Sequence, residues 1–138
     1  MLLTVDSSVI VAALRREEDL HGACQRVLGQ IDSGDHTAVE PFTVLVEVVA
    51  AIRRRTGSPA LALRVHRDLA AMPSLRFVEL DARRAGAAAR IAEESGLRGM
   101  DAIVVQIAQE FGAALVTQDA EMLRRTQSLV VARAVTDF

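Results

Sequence analysis

The sequence predicts an α/β fold, an open and mostly parallel sheet with helices on both faces. Short apolar runs alternate with longer stretches of helical periodicity along the whole chain. The helices are too many and the strands too short for a barrel, which leaves a sheet covered on both sides. No repeat, linker or low-complexity stretch interrupts the pattern, so the 138 residues read as one domain spanning 1–138.

The elements follow in order. Leu2 to Val5 is a buried strand that ends at Asp6. Ser7 and Ser8 offer N-caps for a helix through Ala12, Ala13 and Leu14. A second helix runs from about Leu20 to Ile31, with Ala23, Val27, Leu28 and Ile31 on one face, and Asp32-Ser33-Gly34-Asp35 ends it. Thr37 to Val39 is a short strand, and Pro41 suits the first turn of a helix from Phe42 to Arg55. Thr56-Gly57-Ser58-Pro59 breaks that helix before another from Ala60 to Met72. Leu75 to Leu80 alternates as a strand, and Ala82 to Ser95 is an alanine-rich helix closed by Gly96. A helix opens at Gly99-Met100-Asp101 and ends before Gly112. Ala113 to Thr117 is a strand, a short helix lies around Glu121 to Arg124, and Leu129 to Ala132 is the last strand candidate.

Composition excludes several function classes. Hydrophobic residues make up 51% of the chain, enough for a buried core. The net charge of −2 is not that of a broad nucleic-acid binder. Tyr and Trp are absent, which disfavours base binding on aromatic platforms. All the Lys+Arg residues are Arg, so no mechanism can rest on a lysine. The single cysteine, Cys24, forbids an internal disulfide and a cysteine zinc site, and reads as a small buried apolar residue. The opening Met-Leu-Leu-Thr-Val-Asp is no signal peptide, and no apolar run approaches a membrane span. A reducing cytoplasm is expected.

In open parallel sheets, ligands bind beyond the carboxyl ends of the strands. Asp6, Glu47, Asp101 and Asp119 are aimed there from widely separated stretches. Asp6 follows an apolar strand, Glu47 sits inside Val44-Leu45-Val46-Glu47-Val48-Val49, and Asp101 precedes Ala-Ile-Val-Val. Desolvated acids gathered together repel one another, and a bound divalent cation relieves that. Hard oxygen ligands without His or Cys select Mg²⁺ or Mn²⁺. Such an ion can activate water for attack on phosphorus. Each aspartate also has a structural reading: Asp6 as a turn or cap, Asp101 as an acid favoured by the helix dipole, Asp119 as an N-cap. Glu47 has no capping role inside its apolar helix.

Val5-Asp6-Ser7-Ser8-Val9-Ile10, Val46-Glu47-Val48, Met100-Asp101-Ala102-Ile103-Val104 and Leu115-Val116-Thr117-Gln118-Asp119 occur in that order. In this the chain resembles the PIN-domain family, and within it the VapC-type toxins of prokaryotic toxin–antitoxin pairs. The resemblance implies a three-layer PIN-like fold with a parallel sheet of about five strands. It implies an endoribonuclease in which Asp6, Glu47, Asp101 and Asp119 hold one or two Mg²⁺ or Mn²⁺ ions, with Ser7 and Thr117 orienting acids or waters. It further implies RNA products with a 5′-phosphate and a 3′-hydroxyl, homodimers, and inhibition by a protein antitoxin.

With no lysine, RNA contacts must rest on arginine. Most of Arg53-Arg54-Arg55, Arg83-Arg84 and Arg124-Arg125 read as solvated faces, while Arg98, three residues before Asp101, is the RNA-binding candidate. His21, His36 and His66 have no ligand spacing. The helices over Phe42 to Ile52 and Ala60 to Leu69 carry more apolar surface than one core needs, which points to a homodimer. The alternatives are a non-catalytic interaction module, an RNA-processing nuclease outside a toxin–antitoxin system, and a phosphohydrolase or phospho-receiver. The last is disfavoured by Ser8 in place of a second aspartate and by the missing lysine.

Overall fold

The computed structural model describes all 138 residues. Five strands pair throughout in parallel, in the order β3-β2-β1-β4-β5. They are β1 (Leu2–Val5), β2 (Thr37–Pro41), β3 (Leu75–Val78), β4 (Ala114–Thr117) and β5 (Ala132–Ala134). The connections are α1 (Ser7–Leu14) and α2 (His21–Asp32), then α3 (Phe42–Thr56) and α4 (Pro59–Ala71), then α5 (Ala82–Ser95) and α6 (Gly99–Phe111), then α7 (Ala120–Thr126). A 3₁₀ turn, Val135–Asp137, ends the chain.

Right-handed crossovers put α1 to α4 on one face and α5 to α7 on the other. The packing partners agree: α1 lies against α2 and α3, α3 against α4, and α6 against α5, β1 and β2. The main core holds Leu3, Val5, Val44, Val48, Val104, Val105, Leu115 and Val116 among its buried members. Val39, Val78, Ile107 and Ala113 form a smaller cluster on β2, β3 and the end of α6. The core is aliphatic, as the scarcity of aromatics requires.

The chain leaves β1 toward β2 and β3 on one side and returns to β4 and β5 on the other. Strand order therefore reverses between β1 and β4, and a crevice opens beyond their carboxyl ends. β1 and β2 pair as a ladder only at Leu2↔Thr37 and Leu3↔Ala38. Beyond that, the Val5 N–H donates to Glu40 Oε1 at 2.5 Å. On the other side the Asp6 N–H still donates to Val116 O at 2.9 Å.

The expected fold is the observed one, with shifted boundaries. The last strand is Ala132–Ala134 rather than Leu129 to Ala132, because Leu129 and Val130 are held in turn bonds to Thr126 O. Pro41 ends β2 and caps α3 from outside instead of entering the helix. Ser7 and Ser8 are inside α1, and Asp6 takes the N-cap position without a side-chain cap bond. No helix is long and apolar enough to cross a membrane.

Candidate active site

Asp6 sits where β1 gives way to α1, with 8% of its surface exposed. Its Oδ2 accepts from Ser8 Oγ at 2.8 Å and from Thr117 Oγ1 at 3.2 Å. Both bonds fall on one oxygen, which leaves Oδ1 open to a further ligand. Thr117 in turn accepts from the Asp119 N–H at 3.0 Å, tying the ends of β1 and β4 together. Gln118 donates to Ser8 O at 3.2 Å and completes the link.

Glu47 lies on α3, half-buried, and Asp101 lies in the first turn of α6. Burial raises the Asp6 carboxyl pKa, and nearby Asp119 adds to the rise. Burial also raises Glu47, with Asp6 and Asp101 adding to it. Asp101 is raised by burial and by Asp6, while the Arg98 guanidinium pulls it back. The four acids thus feel one another as a single cluster of negative charge. They are not drawn into a ready-made cage: no three His, Cys, Asp or Glu side chains are placed to hold one ion between them.

Asp119 does cap α7, its Oδ1 accepting from the N–H groups of Glu121 (2.9 Å) and Met122 (3.2 Å). Its structural reading is therefore realised, and one carboxylate oxygen remains outside the cap. Thr117 bonds Asp6 directly. Ser7 lies close enough to Glu47 to oppose its raised pKa, while the direct bond to Asp6 comes from Ser8. Arg98 is exposed at the N-cap of α6, beside Asp101.

Two residues escaped the sequence reading. Ser8 reads in the sequence as a cap and a motif position without a role toward Asp6, although a hydroxyl two residues after an acid can reach back to it. Glu40 is fully buried at the end of β2, where desolvation holds its pKa well above the carboxylate range and Asp6 adds to the shift. Its Oε2 has no hydrogen-bond partner. The available signal was a carboxylate between Val39 and Pro41, inside a strand otherwise apolar.

Three hollows surround the acids. One of about 510 Å³ runs from Ser7, Ser8 and Glu47 along α3 to Arg54 and Arg55. A second, about 550 Å³, lies between Glu47, the alanine face of α5 and the Arg98–Asp101 turn. The third, about 80 Å³, is framed by Arg98, Asp101, Asp119, Glu121 and Arg125.

The sequence profile of the PIN domain matches residues 3–128. The chain belongs to the PIN-domain family. Among solved PIN-fold structures it is similar to Mycobacterium tuberculosis VapC20, a sarcin–ricin loop cleaving toxin, with 18% identity, a TM-score of 0.75 and 96% and 99% of the two chains covered. It is similar to PAE2754 of Pyrobaculum aerophilum at 25% identity and TM-score 0.68, covering 99% and 90%. It also resembles a chain of a toxin–antitoxin complex from Klebsiella pneumoniae at 14% identity and TM-score 0.67, covering 98% of each. No curated protein matches by sequence. At these identities the likeness establishes the PIN fold.

Proposed function

We propose that this PIN-domain protein is a Mg²⁺- or Mn²⁺-dependent endoribonuclease, the toxin of a toxin–antitoxin pair, acting as one unit over residues 1–138. The observation that carries the reading is the Asp6 carboxylate. It is buried at the switch point of the sheet, fixed on one oxygen by Ser8 and Thr117, and surrounded by Glu47, Asp101 and Asp119. A purely structural aspartate gains nothing from three acidic neighbours, whereas a ligand for a divalent cation does.

The donor set fits such an ion, being hard carboxylate oxygen with no nitrogen or sulfur donor. Asp6, Glu47, Asp101 and Asp119 would hold one or two ions, directly or through water, and Mg²⁺ suits ligation through water because it keeps much of its water shell. A cation bound there supplies an activated water and Lewis acidity toward the phosphate. The chain's own groups do the rest. Ser8 and Thr117 keep Asp6 in one rotamer, Ser7 steadies Glu47, and Arg98 stands beside Asp101 to meet a phosphate oxygen. The expected products carry a 5′-phosphate and a 3′-hydroxyl.

The VapC20 likeness supports RNA as substrate, and the Klebsiella pneumoniae complex supports a protein antitoxin as partner. Phe42 and Val46 on α3 and Leu61 and Leu63 on α4 are apolar and exposed, a surface suited to a homodimer. Sedimentation at micromolar concentration is expected to give the dimer, and a monomer throughout contradicts it.

The test of the function is cleavage of a structured RNA pool by wild type and Asp6→Asn, with Mg²⁺ or Mn²⁺ and with EDTA. Cutting by wild type with metal alone is expected, with Asp6→Asn at the level seen in EDTA. Equal cutting by both proteins contradicts the site, and failure of wild type on every RNA tried favours the interaction module.

A further inference from the structure

The groove along α3 has a feature the acidic cluster does not use. Glu47, Ala50, Ala51 and Arg54 all line it. Their spacing of three, four and seven residues puts them on one face of the helix. Arg54 therefore stands two turns, about 10.5 Å along the axis, from Glu47. The two positions between them are alanines, so no side chain blocks the floor.

The charges in the groove are arranged unequally. Arg55 Nη1 is tied to Glu18 Oε1 at 2.5 Å, and Arg15 also reaches Glu18 at 3.4 Å. Glu18 is thereby neutralised and does not oppose an anion. Arg53, one residue away, lines a different groove with Pro59, Ala62 and His66. Arg54 makes no ion pair and no side-chain hydrogen bond, and it is exposed. It is a free guanidinium in a half-polar groove that also holds Glu47, Ser7 and Ser8.

We propose that this groove holds the RNA strand beside the phosphate that sits at the acidic cluster, and that Arg54 grips a neighbouring phosphate of the same strand. The inference rests on the ribonuclease reading. A guanidinium suits the contact because its planar fork pairs two phosphate oxygens at once. Placement on the helix face that carries Glu47 sets the line the strand follows away from the site. Arg54 is thus a substrate-binding residue set to one side of the cut.

The test compares Arg54→Gln with Arg53→Gln, the same charge change on the same helix facing away. Cleavage of a structured RNA pool with Mg²⁺ is followed at several RNA and salt concentrations. Binding of the labelled pool is followed by fluorescence anisotropy in the non-cleaving Asp6→Asn background. Arg54→Gln is expected to raise KM about tenfold with kcat little changed. It is also expected to lower the slope of log affinity against log salt by about 0.7, the loss of one phosphate contact on a single strand. Arg53→Gln should follow wild type in both. An Arg54→Gln protein that matches wild type in KM and slope overturns the proposal, and so does an equal loss in Arg53→Gln. A wild type that neither cuts nor binds RNA removes the underlying function instead. Matching melting curves for the two variants exclude misfolding as the cause.

Discussion

Glu40 and Asp6 are neighbouring carboxyls with opposite tasks. Asp6 keeps an oxygen open toward the crevice, while Glu40 is sealed behind it and supplies the acceptor that the β1–β2 ladder lacks at Val5. Burial favours the neutral form of Glu40, so a glutamine should serve nearly as well. Glu40→Gln is expected to stay within about 1 kcal/mol of wild type, since its amide oxygen still accepts from Val5. Glu40→Ala strands the Val5 N–H and opens a cavity, at a cost of about 3 kcal/mol. Denaturant unfolding of the two variants checks this, and equal losses would contradict the bond's role. Glu40 was hard to read in the sequence because a single acid before a proline resembles an exposed strand end. Ser8 was hidden differently: whether it or Ser7 faces Asp6 depends on the helix rotation after β1, which two adjacent serines do not reveal.

The strands and helices were largely legible, because each carries its own periodicity and its own stop. Gly96 is an instance: it closes α5 at φ 72°, in the left-handed region that glycine enters without strain. Leu129 and Val130 misled because an apolar run after a helix reads as a strand, while the Thr126 carbonyl captures both N–H groups in a turn. The acids became legible through the elements that present them, at strand ends and in a helix too apolar to tolerate Glu47 idly. Asp119 shows the limit of that reasoning, since it is also the cap of α7. The two roles separate by substitution. Asp119→Asn caps α7 about as well as aspartate and should hold stability within about 0.5 kcal/mol. Metal-dependent cleavage should nevertheless be lost. Retained cleavage would reduce Asp119 to its cap.

At the scale of the whole molecule, the parallel sheet gathers acids that repel. The pKa values of Asp6, Glu47 and Asp101 are raised on folding, first by burial and then by one another. A raised carboxyl favours the folded state where it is protonated. That contribution is complete below the ordinary carboxylate range and is lost as pH rises through the raised values. The metal-free protein is therefore expected to gain stability on acidification from neutral pH toward that range. Below it the trend is opposed by Glu110, which its pairs with Arg84 and Arg83 hold at about 2, so its stabilisation falls away as pH drops toward that value. A cation in the cluster offsets the same repulsion at neutral pH.

A metal site built on Asp6 is tested most directly by the melting temperature with and without Mn²⁺, for wild type and Asp6→Asn, from neutral to mildly acidic pH. Wild type should melt higher with Mn²⁺ at neutral pH, and the gain should shrink on acidification as protons compete for the carboxylates. Asp6→Asn should melt higher than wild type without metal, because a neutral amide avoids the burial penalty and the repulsion of a buried carboxylate, and lose most of the Mn²⁺ gain. A wild type indifferent to Mn²⁺, or an Asp6→Asn protein with the full gain, would contradict a metal site built on Asp6.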